Sequence, residues 1–178
     1  MNMMTSVLNS ALLGLIADVD ALVAADASCM ERTVAEKLKP LLTMPGLLKG
    51  VPVQFREECY TLNVLYSDPD GRWAIAAVAW LPGQKSSVHD HQTWCSFGIY
   101  EGEAVEEYFS LQEGGEATCC GQRTLAAGAT GFAGQTCAEK QAAIHRLGNH
   151  SQERLVSLHV YGCDLGRGAS SVATKFDA

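Results

Sequence analysis

Over the first 45 residues the apolar positions recur at helical spacing. Leu8, Leu12, Leu15, Ile16, Val19, Leu22 and Val23 would share one face of a helix from Ser6 to about Ala25, and a second helix is expected from about Thr33 to Leu42. Met44-Pro45-Gly46 and Gly50-Val51-Pro52 end this pattern, because proline lacks an amide hydrogen and glycine takes up left-handed backbone freely. From Cys59 onward short β-prone runs replace the helical period. They are Tyr60 to Tyr66, Trp73 to Trp80, Cys95 to Tyr100, Glu103 to Leu111, Thr118 to Leu125, Gln141 to Leu147 and Leu155 to Tyr161, with a last one near Val172 to Phe176.

The separators between these runs are turn-formers: Asp68-Pro69-Asp70-Gly71, Pro82-Gly83, Glu101-Gly102 and Glu113-Gly114-Gly115-Glu116. Seven or eight antiparallel strands of this length point to a mostly β fold, a jelly-roll barrel. No repeat or long linker interrupts the chain, so one domain over residues 1–178 is expected, with helices in 1–45 packed on a barrel formed by 50–178.

Composition narrows the partners. A formal charge of -7 and a pI near 5.1, without clustered Lys and Arg, argue against nucleic acid and anionic membranes and favour small molecules. The seven cysteines follow no disulfide or zinc-knuckle spacing, which fits a reducing cytoplasm. Val7 to Ala25 lacks a basic flank and contains Asp18 and Asp20, so it reads as a helix and not as a signal or membrane span. The oligomeric state is not legible.

The candidate chemistry lies at His89-Asp90-His91. Residues two apart on a strand face the same way, so both imidazoles can reach one cation, and His145 from a later strand can complete the set. Three neutral imidazoles leave a divalent cation with its full charge and open positions on one face, which favours anionic ligands such as a thiolate. The same donors would suit zinc in a hydrolytic site. Farther on, Ser157-Leu158-His159-Val160-Tyr161 places three polar side chains in a row on one strand face.

Gly83-x5-His89-x-His91-x3-Cys95-x6-Gly102 resembles the first cupin motif, with Cys95 where a glutamate ligand is usual, and His145-x3-Asn149 resembles the end of the second. Together with Pro82-Gly83, Thr93-Trp94, Tyr100-Glu101-Gly102 and Ser157-x-His159-x-Tyr161, these residues are similar to the thiol dioxygenases of the cupin superfamily, cysteine dioxygenase and 3-mercaptopropionate dioxygenase. The likeness runs from about Tyr60 to Gly162. It implies ferrous iron, Fe(II), held by His89, His91 and His145, and a small thiol oxidised by O2 to the sulfinate. It also implies that Tyr161 turns its hydroxyl toward the reacting ligands while His159 and Ser157 orient it. Cys95 stands where cysteine dioxygenases carry the cysteine that becomes thioether-linked to the tyrosine.

Leu62 departs from the pattern. In the segment Tyr60-Thr61-Leu62-Asn63 it occupies the place of the Arg or Gln that engages the substrate carboxylate, and a leucine cannot form that charge-assisted bond. Tyr60 remains available to donate a hydrogen bond. Arg72, Arg146, Arg154 and Arg167 are the candidate substitutes, although Arg146 follows a ligand directly and should point away from it. Glu106-Glu107 reads most simply as a surface pair with one side chain per face, although one of them could be inward and polar. Two other readings stay open: a metal-dependent cupin of another class, such as an isomerase, hydrolase or non-thiol dioxygenase, and a non-catalytic cupin that binds a metal or ligand.

Overall fold

The computed structural model describes residues 8–134 and 144–177. Helix α1 spans Ser10–Ala24, and the side chain of Asn9 caps it by accepting a hydrogen bond from the Leu12 amide at 3.0 Å. The expected start at Ser6 lies outside the described residues, as does the 141–143 end of the Gln141 to Leu147 run. Helix α2 spans Met30–Leu42 and starts earlier than its polar pattern suggests. Cys29 precedes it with left-handed backbone (φ 55°) and no side-chain cap, so the usual start signal is missing.

Among the described residues ten strands follow: β1 Thr61–Ser67, β2 Ala74–Trp80, β3 Val88–His91, β4 Cys95–Glu101, β5 Glu103–Leu111, β6 Ala117–Ala126, β7 Thr130–Ala133, β8 His145–Gly148, β9 Leu155–Tyr161 and β10 Val172–Phe176. They form two five-stranded sheets, one ordered β1-β2-β9-β4-β7 and the other β10-β3-β8-β5-β6, and every pairing is antiparallel. The mostly β barrel expected from the run lengths is therefore present, with two more short strands, β3 and β7, than the hydrophobic runs reveal.

Strands β2 and β9 are buried along their whole length, which explains the near-continuous apolar reading of Ala74–Trp80. One face packs under the helices: Leu12, Leu15 and Val19 of α1 and Val34, Leu38 and Leu42 of α2 join Ile75, Ala77, Leu158 and Val160 in one core. The other face looks into the barrel. There the register stacks Leu62, Val78, Ser157 and Ile99 in one row, Ala76, His159 and Phe97 in the next, and Ala74, Tyr161 and Cys95 in the third. Two-residue periodicity thus delivers all three polar side chains of β9 to the interior.

Gly83 and Gly102 take left-handed backbone, with φ of 79° and 81°. At Gly102 a β-carbon would also collide with the carbonyl oxygen of Arg154, so the β4–β5 turn excludes any side chain there. Among the described residues, no helix is long and apolar enough to cross a membrane.

Candidate metal centre

His89 and His91 lie on β3, two residues apart and hence on one face, and His89 pairs directly with His145 on β8. The register of three short strands therefore brings the three imidazoles together. One ligand nitrogen from each lies within 4.8 Å of the others, and His91 Nε2 is 2.9 Å from His145 Nε2. All three rings are buried.

Hydrogen bonds determine which nitrogen each ring offers. His89 Nδ1 is 2.9 Å from the Ser87 carbonyl and His145 Nδ1 is 2.8 Å from Glu106 Oε1. A carbonyl and a carboxylate only accept, so both rings carry their proton on Nδ1 and turn the Nε2 lone pair inward. Burial, with the nearby His145 ring adding to it, pushes His89 down to about 4 and His91 down to about 2. Neutral, preoriented imidazoles are what a divalent transition metal needs, so this donor set fits one.

Glu106 corrects the expectation of a surface pair. Its side chain is inside the barrel and 1% exposed, and Glu107 is also buried, on the outer face, where Arg146 closes over it at 2.7 and 2.9 Å. Glu106 also accepts from Tyr108 at 3.0 Å and from Arg123 Nε at 2.8 Å. Burial alone would raise its pKa, but the bonds to His145 and Arg123 outweigh it and hold the carboxyl below its ordinary range. Sequence reasoning left open which of the pair faces inward and gave it no role, because that role depends on a cross-strand register; the available signal was that a ligating histidine requires an acceptor for its second nitrogen. Replacing Glu106 with Gln should weaken metal binding about 10- to 100-fold without unfolding the protein, measurable by competition with a chelator. Equal affinity would show that His145 is oriented by its strand alone.

Across the barrel, β9 presents a directed hydrogen-bond chain. Trp80 Nε1 donates to Ser157 Oγ at 3.0 Å, Ser157 Oγ lies 2.9 Å from His159 Nε2, and His159 Nδ1 lies 3.0 Å from the Tyr161 hydroxyl. An indole nitrogen can only donate, so the buried Ser157 satisfies its own hydrogen by donating to His159 Nε2. His159 then keeps its proton on Nδ1 and donates to the Tyr161 oxygen, which leaves the tyrosine hydrogen to point into the cavity. Burial pushes His159 down to about 3 and, with Cys95 beside it, pushes the Tyr161 hydroxyl well up, so the ring stays neutral and the phenol stays a donor.

Both halves line one cavity of about 230 Å³. Its remaining wall is mainly apolar, with Val78, Phe97 and Leu147 beside Tyr60, which stacks on Trp80 at 4.4 Å. Leu62 also lines it but sits at the rim, 41% exposed. Cys95 is fully interior and directly opposite Tyr161 in the β4–β9 register, and burial pushes its thiol well up. Asn149 lies behind the wall as a tie, donating to the carbonyls of Trp80 and Glu153 and accepting from Ser151.

None of the four arginine candidates reaches the cavity. Arg72 is held by Asp68, Arg146 by Glu107 and Arg167 by Asp164, while Arg154 lies over the Phe55 ring.

The sequence pattern of the family described as cysteine dioxygenase type I matches residues 51–167, well over half of the chain. The chain belongs to the cysteine dioxygenase type I family. The matched segment carries the three histidines, the β9 row and Cys95, while α1, α2 and β10 lie outside it. Cysteine dioxygenases are cupins, and the two facing sheets are the cupin barrel. Solved structures with some likeness include a protein of Thermus thermophilus at 22% identity, with a TM-score of 0.48, covering 62% of this chain and 90% of that one. A Klebsiella pneumoniae protein with a double-stranded β-helix domain is 18% identical, with a TM-score of 0.48 and coverage of 69% and 91%. A cupin superfamily protein of Desulfitobacterium hafniense is 18% identical, with a TM-score of 0.45 and coverage of 63% and 84%.

The buried histidines also set the acid stability of the metal-stripped protein. His89 and His159 stand near 4 and 3 when folded, against an ordinary value of 6.5. Above pH 6.5 both folded and unfolded chains are neutral at these rings; as pH falls, the unfolded chain binds protons that the folded chain refuses. Stability should thus decline from about pH 6.5 down to about 4 for His89 and about 3 for His159, by on the order of 1 to 2 kcal/mol each at pH 5. Urea midpoints at about pH 7.5 and about pH 5 test this, and equal midpoints would mean that the rings are solvated.

Proposed function

We propose that this member of the family is a mononuclear non-haem iron thiol dioxygenase that converts a small mercapto acid and O2 into the sulfinate. The observation that carries the reading is the placement of a buried three-histidine donor set opposite a directed Ser157-His159-Tyr161 chain in one mostly apolar cavity. His89, His91 and His145 would hold ferrous iron, which when bound supplies the redox chemistry that lets dioxygen react with a thiolate sulfur. No carboxylate lines the cavity among its described residues, so the protein leaves the cation's charge undiminished for anionic ligands.

The chain's own residues do the rest. Tyr161 donates its hydroxyl hydrogen toward the oxygen atoms as negative charge develops on them, and His159 keeps that hydrogen aimed inward. Phe97, Val78 and Leu147 keep water from the thiolate. The overall reaction balances without a further reductant: the thiol and O2 become one sulfinic acid, the sulfur giving up the four electrons that dioxygen takes.

Cys95 and Tyr161 are directly opposed, which brings their β-carbons to about 4.5–5.5 Å. A thioether between them would remove one hydrogen from the thiol and one from the ring, with dioxygen as oxidant. Intact mass of iron-loaded protein should therefore fall by two hydrogens, and a digest that yields the two peptides unlinked would rule the bond out.

The reading is tested by O2 uptake of anaerobically iron-reconstituted protein with cysteine, 3-mercaptopropionate, mercaptosuccinate and cysteamine, with the product identified by mass spectrometry. One O2 consumed per sulfinate is the expected result. Iron-loaded protein inert to the whole panel would point to another cupin chemistry or to a non-catalytic metal-binding role.

A further inference from the structure

We infer that Lys175, on the last strand, is the residue that recognises the substrate's anionic group, in place of a cation on β1. The inference rests on the thiol-oxidation reading above and adds the substrate's charge pattern to it. Among the described residues lining the cavity, Lys175 is the one cation apart from the histidines. It forms no ion pair among the described residues, whereas Arg72, Arg123, Arg146 and Arg167 are each matched by a carboxylate.

Its position is built by register. Lys175 pairs with His89 and Val172 with His91, so three steps along β10 answer two along β3. Without the extra residue, positions 172 and 175 would face opposite sides; the bulge puts both on the cavity side, with Lys175 at its exposed rim. The strand is held on each side of the lysine. Asp90, the middle residue of the His-Asp-His motif, accepts from the Thr174 amide at 2.6 Å, and Phe176 packs with Val88, Phe109 and Ile144. Gln92 further ties the approach to β10 by donating to the carbonyls of Ser170 and Ser171 at 2.6 and 2.9 Å.

A lysine on an edge strand commonly serves only to discourage pairing with another chain. That role asks for no place in the cavity and no pinned backbone, and here both are present. The β1 side offers Leu62, which cannot pair with an anion, and next to it the neutral Tyr60 hydroxyl, so the β10 ammonium is the charged partner left for a carboxylate. The lining also contains no carboxylate among the described residues to receive an ammonium group. The fitting ligand is a short mercaptocarboxylate that carries no amine, its thiolate at the histidines and its carboxylate at Lys175.

The test uses full-length protein loaded with Co(II), which reports thiolate binding by its charge-transfer absorption without turnover. Lys175→Met should bind 3-mercaptopropionate about 10- to 100-fold more weakly than wild type, leave cobalt stoichiometry unchanged, and bind cysteamine no worse; Lys175→Arg should recover part of the loss. Equal 3-mercaptopropionate affinity in wild type and Lys175→Met, with the charge-transfer band present in both, would overturn the role of Lys175 and leave the thiol reading intact. Absence of the band with every thiol in wild type would overturn the thiol reading itself, and the lysine's role with it.

Discussion

Replacing His89 with alanine should strip the protein of its metal and reduce thiol oxidation to the level of free metal in buffer. His89 is held between the Ser87 carbonyl on its Nδ1 side and the other two imidazoles on its Nε2 side, so its removal leaves two donors and a hole at the centre of the set. Loss of a residue that merely orients a ligand costs about 10- to 100-fold in affinity, and loss of a ligand should exceed that. Metal analysis after desalting checks the outcome, with circular dichroism to establish that the barrel remains. Full metal retention with normal turnover would place the metal elsewhere and remove the proposed centre.

Replacing Tyr161 with phenylalanine should have the complementary signature, a turnover lowered by about 100-fold or more with metal content near that of wild type. The ring stays where it is packed beside Cys95 and Ala76, and only the hydroxyl at the end of the Trp80-Ser157-His159 chain is lost. The phenol's hydrogen bond goes to His159, which is not one of the three candidate ligands. Coupled metal analysis and sulfinate assays separate the cases: loss of metal in this variant would mean that the hydroxyl is structural, and unchanged turnover would mean that the hydrogen it offers is not used.

The barrel and most of its site were legible in the linear pattern because strand periodicity is local. Alternation alone puts Ser157, His159 and Tyr161 on one face, and the same rule correctly sends Arg146 outward to Glu107. Strand β7 was not legible: its centre is Gly131, a weak strand former, required because a β-carbon would run into the Phe97 ring and Arg123. Strand β3 has no hydrophobic run and was legible only through the two-residue spacing of His89 and His91. Lys175 was missed, and the role of Glu106 left unassigned, for a shared reason. Each acquires its place from pairing between distant strands, and in the case of Lys175 from a one-residue bulge that reverses the face parity would assign.

The hydrogen-bond chain rises from β9, at the centre of its sheet and covered on both faces, whereas Leu62 and Lys175 belong to β1 and β10, each an outermost strand of its sheet. Central strands cannot change a side chain without disturbing neighbours on both flanks; border strands have a neighbour on one flank only. The proposed reactive apparatus thus lies where sequence drift is most heavily penalised, and the residues proposed to choose the substrate lie where it is most easily tolerated. Under the proposed function, a lineage built on this barrel could exchange one thiol for another by edits at its margins while the chemistry between them is inherited unaltered.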